Sequence, residues 1–145
     1  MSIQVKFYDS IDDSLLKFAV IISKSNGKWV YVKHKLRDTF EVPGGRREKG
    51  EAILETANRE LKEETGAIDY TIKPVCVYSV TGKTRVNETV EETFGMLYFA
   101  EINSFENELN SEIELVKLFD DIPENQTYPL IQPFLIKEAQ RRNIV

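Results

Sequence analysis

"EVPGGRREKGEAILETANRELKEETG", residues 41–66, is the stretch whose reading decides the fold. An extended segment runs into a proline and two glycines. An acidic, helix-forming run follows and ends in glycine. Seven of its residues are Glu. Like charges at i,i+4 on a helix repel, so something should offset them. At 3.6 residues per turn, residues 52–65 are predicted to form a helix, with Ile53, Ala57 and Leu61 as its apolar stripe and Gly66 at the C′ position. Glu60, Glu63 and Glu64 stand at i, i+3 and i+4 and face one side, away from that stripe. Three carboxylates within one turn make a poor surface feature and a good cage for a hard divalent cation. Mg²⁺ takes oxygen ligands in octahedral geometry and keeps water positions for substrate phosphates.

The loop before the helix adds to this. Gly44 and Gly45 allow backbone conformations closed to other residues, so the Gly44 carbonyl can turn towards a metal, and Pro43 stiffens the approach. Arg59 points to a different side from Glu60 and can fork to a carboxylate of the loop, with Glu51 the candidate. Such a pair would lock loop to helix and support a metal site from behind. The competing reading is a solvated Glu-rich helix partly neutralised by Arg59 and Lys62. The carboxylate pattern alone does not separate the two; the glycine loop at fixed spacing does.

Outward from this stretch, residues 15–23 read as a buried strand, "SNG" as a turn and residues 28–35 as the return strand of a hairpin. Trp29 and Tyr31 fall on one face of that alternating strand as packing residues. "YTIKPVCVYSV" and residues 91–102 are two more strands, joined by the polar "TGKTRVNETV". "ELVKLFDDIPEN" holds a short strand and a turn. "YPLIQPFLIKEAQRRN" reads as a C-terminal helix with Leu130, Phe134, Ile136 and Ala139 inward and Pro133 near its start. The sum is one α+β domain over residues 1–145, with a mixed or antiparallel sheet and at least two helices.

At 41% hydrophobic and 30% charged residues, the composition excludes a disordered chain. A net charge of −5 argues against nucleic acid as the partner, but leaves small phosphorylated ligands open. The single cysteine, Cys76, excludes an internal disulfide and lies in an apolar run as a buried thiol. The N-terminus lacks a basic start followed by an apolar stretch, and no apolar run approaches the roughly 20 residues that span a bilayer. A cytoplasmic protein without membrane contact is therefore expected. Its oligomeric state leaves no mark in the sequence.

The whole pattern resembles the Nudix box, G-x5-E-x7-R-E-U-x-E-E-x-G-U, with U a bulky aliphatic residue. Here Gly45, Glu51, Arg59-Glu60-Leu61, Glu63-Glu64 and Gly66 stand at the fixed positions. Ala67 is the one departure, small where the family carries a larger aliphatic residue, and Ile68 next to it is expected to take over its packing. The resemblance implies the Nudix fold, a mixed β-sheet sandwiched between α-helices. It also implies Mg²⁺- or Mn²⁺-dependent hydrolysis of a nucleoside diphosphate linked to a further group X. Carried over by position, Glu60, Glu63, Glu64 and the Gly44 carbonyl would hold the metal. Glu51 and Arg59 would form the supporting pair, with Gly45 and Gly66 shaping the site.

The family does not place its general base uniformly. Glu60 and Glu112 are candidates here, and Glu91, Glu92 and Glu114 stay open. Arg37, His34 and Phe40, just upstream of the box, are the candidate substrate contacts. A proline about sixteen residues past the box would mark ADP-ribose-type substrates, but position 83 is Lys and Pro74 is too early; Tyr78 is too early for the dinucleoside polyphosphate mark. These absences point to a small MutT-like nucleoside triphosphate pyrophosphohydrolase, with an oxidised purine such as 8-oxo-dGTP among its possible substrates. The alternatives are a nucleotide sugar, ADP-ribose, a dinucleoside polyphosphate or an RNA 5′ end as substrate, or a non-catalytic nucleotide-binding regulator.

Overall fold

The computed structural model describes residues 3–84 and 89–145. Met1, Ser2 and residues 85–88, part of the polar connector read above, lie outside the described residues. Strand β1 (Gln4–Tyr8) leads through a 3-10 turn (Asp13–Leu15) into β2 (Leu16–Ser25) and β3 (Lys28–His34). Then follow β4 (Gly44–Arg46), α1 (Ile53–Thr65), β5 (Ala67–Thr81), β6 (Thr93–Phe105), β7 (Ile113–Phe119) and α2 (Gln132–Arg141). The sheet order is β1-β5-β6-β2-β3-β7, with β4 also paired to β2. The β2–β6 pair is parallel and the other strand pairs are antiparallel, so the sheet is mixed.

Each face carries one helix, and successive residues of the central strands serve opposite faces. Ile21 packs with Ala57 and Leu61 of α1; Ile22 packs with Leu135, Ile136 and Ala139 of α2. Burial on both faces is why β2 reads as a continuous apolar run rather than an alternating one. The same packing accounts for the acidic helix. Burying Leu61 completely contributes about 1.5–3 kcal/mol, against a few tenths for each like-charged pair. Tertiary packing therefore holds α1 without help from a cation.

The β2–β3 turn places Asn26 and Gly27 at φ 51° and 76°, the two left-handed residues of a tight hairpin. Pairing between the two strands covers only Lys24–Trp29 and Ser25–Lys28. Beyond that they part. The chain that follows β3 returns through the gap, with Val32 bridged to Glu41, and β4 completes the ladder along β2. Within this split the chain passes through Pro43 into β4.

Two packing expectations are corrected. Leu130 and Phe134 are 60% and 46% exposed. Because α2 begins only at Gln132, the buried row is Ile131, Leu135, Ile136 and Ala139, and 130 and 134 fall on the neighbouring, solvent-facing row. Ile68 does not substitute for a large residue at 67: it is 57% exposed at the start of β5, while Ala67 itself is buried. Strand alternation turns consecutive residues to opposite faces, so a neighbour cannot fill the same space. Trp29, Tyr31 and Cys76 are buried as read. Among the described residues, no helix is long and apolar enough to cross a membrane.

Candidate active site

Helix α1 opens with Glu55 accepting from the Ala52 N–H at 2.9 Å, half of a capping box, and closes on Gly66 at φ 74°. Between these ends Arg59 ties the helix to the preceding loop. Its Nε and Nη2 fork onto the two Glu51 oxygens at 2.6 and 3.0 Å, and Nη2 also donates to the Arg46 carbonyl at 3.0 Å. The Glu51 carboxylate accepts from the Glu48 N–H and the Thr56 hydroxyl as well. Arg59 first, then these donors, pull the Glu51 pKa down to about 2. The predicted pair thus forms the knot that fixes the loop.

Arg59 also donates from Nη1 to Glu60 at 2.7 Å and, more loosely, to Glu63 at 3.5 Å. Glu64 is held separately. Its Oε1 accepts from the Gly44 N–H at 2.8 Å, and its Oε2 lies 3.1 Å from His34 Nε2. The ladder explains the Gly44 contact. Ile21 N–H to Pro43 O and Arg47 N–H to Lys17 O turn the residues flanking β4 towards β2, so by alternation Gly44 turns its N–H and C=O to the opposite edge, towards α1. Beyond His34 the chain of contacts continues: its Nε2 lies 3.7 Å from Glu41, and Arg37 Nη1 donates to Glu41 at 2.5 Å.

Burial dominates the electrostatics. Desolvation, and next the charge of Glu64, raise the Glu60 carboxyl from its usual 4.5 to about 7 despite the Arg59 guanidinium. Burial raises Glu64 too, against the pull of His34 and the Gly44 N–H. His34 is raised in turn by its bond to Glu64, with burial opposing. Among the described residues, no group of three or more His, Cys, Asp or Glu side chains is gathered as a ready metal site. Glu60 and Glu63 lean on Arg59, and Glu64 on Gly44 and His34. The donor set still fits a hard divalent cation: carboxylates of one helical turn, two of them desolvated and raised, beside a backbone edge that presents the Gly44 carbonyl.

Gly45 is needed for close approach. A Cβ there would overlap the Glu60 carboxylate. Gly45→Ala is therefore expected to push Glu60 off Arg59 and lower any metal-dependent activity about tenfold to a hundredfold, with little change in melting temperature. Wild-type activity in that variant would show that Glu60 need not occupy its observed position.

A cleft begins at this edge on the α2 face of the sheet. Glu41, Gly44 and Gly45 form the end nearest the carboxylates; Phe18, Val20, Val42, Tyr78, Val80, Tyr128 and Gln132 line it. Of the predicted substrate contacts, His34 lies between Glu64 and the cleft residue Glu41, and Arg37 pairs with Glu41; neither lines the cleft itself. Phe40 packs edge-on against Phe119 at 5.0 Å and forms none of the cleft wall. Glu112 is exposed; its backbone carbonyl accepts from Lys35 N–H at 3.0 Å, just past the end of β3. Glu114 pairs with Lys33, and Glu92 accepts from Tyr8 and Ser79 at 2.6 Å each, so neither is turned to the box.

Sequence reasoning passed over Glu41 and Gln132, both buried and both at the cleft. For Glu41 there was a signal: a lone carboxylate in the otherwise apolar "FEVPGG". For Gln132 there was none, since a polar residue in "LIQPFLI" reads as an ordinary helix start.

Comparison with known proteins gives consistent matches. The model of the NUDIX domain matches residues 14–141. A Bacillus subtilis (strain 168) protein named "Putative 8-oxo-dGTP diphosphatase YtkD" is 32% identical over 139 residues, covering 95% of this chain and 84% of that protein. The crystal structure of the Bacillus subtilis pyrophosphohydrolase BsRppH superposes with a TM-score of 0.75 at 29% identity, covering 96% of this chain and 90% of that one. A C. elegans Ap4A hydrolase shares the fold at a TM-score of 0.64 and 18% identity, over 86% of this chain and 97% of its own.

Proposed function

The chain belongs to the NUDIX family of hydrolases, and we propose that it is a nucleoside triphosphate pyrophosphohydrolase, converting its substrate and water to a nucleoside monophosphate and pyrophosphate. We read residues 1–145 as one hydrolase domain. The observation that carries the substrate class is the continuity of two unlike halves. An apolar, aromatic-walled cleft suited to a base ends on Glu41, Gly44 and Gly45, where the carboxylates of α1 begin.

Hydrolases of this family generally use divalent metals. Glu60, Glu63, Glu64 and the Gly44 carbonyl are the residues that would hold Mg²⁺ or Mn²⁺. Bound there, the cation would neutralise the phosphates and polarise the bond to be broken. The chain's own residues do the rest. Arg59 and Glu51 hold the loop and the helix in register. His34 and Arg37, released from Glu64 and Glu41 when those carboxylates turn to other partners, would donate to phosphate oxygens. A carboxylate takes the proton of the attacking water as the P–O–P bond breaks. Glu60 in the box and Glu112 remain the two candidates for that role.

The deciding experiment is turnover with Mg²⁺ on canonical and oxidised nucleoside triphosphates, ADP-ribose, a nucleotide sugar and a dinucleoside polyphosphate, reading pyrophosphate and orthophosphate separately. Pyrophosphate release from a triphosphate is expected. Turnover confined to the other compounds would overturn the substrate class, and saturable binding without any turnover would overturn the reaction.

A further inference from the structure

Glu41 is only 7% exposed, yet it lines the cleft at the end formed by Gly44 and Gly45. Its backbone is held firmly. It exchanges two hydrogen bonds with Val32, at 2.9 and 3.0 Å, and the next residue, Val42, donates its N–H to Gln132 Oε1 at 2.9 Å. The two carboxylate oxygens are not equivalent. Oε1 accepts from Arg37 Nη1 at 2.5 Å. Oε2 approaches His34 Nε2 only to 3.7 Å, too far for a hydrogen bond, and that nitrogen lies 3.1 Å from Glu64. Among the described residues Oε2 accepts no hydrogen bond, and it is not one of the sealed atoms that lack a partner, Ser23 Oγ, Tyr31 OH and Gln126 Oε1. A buried side chain thus keeps one accepting oxygen open beside the cleft.

A carboxylate accepts and does not donate, so it selects a donor. Which donor follows from its position. In a 5′-nucleotide the sugar joins the base to the phosphates. With the base in the apolar part of the cleft and the phosphates at the α1 carboxylates, the sugar is the group that passes Glu41, and its donors are its hydroxyls. A sugar without them would set apolar carbon against a desolvated charge. We propose that Glu41 reads the sugar, with Oε2 accepting from the ribose hydroxyls. The inference rests on the hydrolase reading above and assigns the sugar contact that reading leaves open. It also names what Glu41 takes up when Arg37 moves to phosphate.

The test is the kcat/KM ratio between each of the four ribonucleoside triphosphates and its 2′,3′-dideoxy form, which keeps base and phosphates unchanged. The wild-type protein is expected to favour the ribose form by about tenfold, the effect of one hydrogen bond to a charged group. Glu41→Gln, which keeps the shape but only a neutral acceptor, should lower the ratio, and Glu41→Leu should bring it close to one. Arg37→Ala controls for an effect routed through the arginine: it should slow both forms alike and keep the ratio. Thermal melting establishes that each variant is folded. A wild-type ratio near one, or the wild-type ratio kept in Glu41→Leu, overturns the inference. So does a Glu41→Leu protein that changes its preference among the four bases and not between the sugars, which would give the carboxylate to a base amino group. If no triphosphate is hydrolysed, calorimetric binding of the four monophosphates and their dideoxy forms supplies the same ratio. A preference lost in Glu41→Leu then upholds the sugar reading while the hydrolase substrate falls, and equal binding of the two sugars overturns it.

Discussion

Glu64→Gln is expected to cost about a thousandfold in metal-dependent turnover while the protein stays folded. Glutamine keeps the shape of the side chain and an oxygen for the Gly44 N–H, so β4 stays where it is. What it loses is the negative charge, at the one carboxylate held jointly by the glycine loop and His34. Folding should not suffer, because burial already disfavours the charged form of Glu64. Melting curves then supply a second readout. Glu60 is raised from 4.5 to about 7, so the folded state binds its proton more tightly than the unfolded chain. Its contribution to stability is intact below about pH 4.5, falls as pH rises, and is fully lost above about pH 7. Added Mg²⁺ should therefore raise the melting temperature of the wild type most above pH 7 and least near pH 5, and should do little for Glu64→Gln. A Glu64→Gln protein with more than a tenth of wild-type turnover would remove the carboxylate turn from the mechanism.

Arg59 gives the second large effect and a different signature. Its guanidinium spans Glu51, Glu60 and the Arg46 carbonyl with three nitrogens in one plane. A lysine keeps the charge but cannot fork. Arg59→Lys should lose about 10- to 100-fold in activity, Arg59→Ala more, and both should need more Mg²⁺ for half-maximal rate. The rise in metal demand separates positioning from direct chemistry, which would lower kcat at saturating metal alone. Wild-type metal demand in Arg59→Lys would mean that the loop holds its shape without the fork.

The acidic helix and its loop were legible because their logic is local. Spacing of three and four residues sets the face of Glu60, Glu63 and Glu64, and an arginine eight residues after Glu51 reaches back to it across the helix start. The same local patterns indicated an α+β domain with at least two helices but left the sheet mixed or antiparallel, because strand direction across β2–β6 is set by pairing far apart in sequence. Misplaced faces came from elements whose register is set elsewhere. Leu130 and Phe134 belonged to an apolar run long enough to suit several helix starts, and only the start at Gln132 selects the buried row. Gln132 itself could not be found in the sequence, because its meaning lies in Val42, ninety residues away. Glu41 likewise acquires its role from His34 across the split in the sheet.

Gly44 directs its amide not to the neighbouring strand but to Glu64, and β4 is only three residues long. Its exchange with solvent is thus gated by a short edge segment, not by the central strands. Local opening can release that segment while the two hydrophobic clusters remain packed. Loss of the site and loss of the fold are then separate events on heating, with inactivation the earlier one. An amide proton at residue 44 would report the first and stay silent about the second.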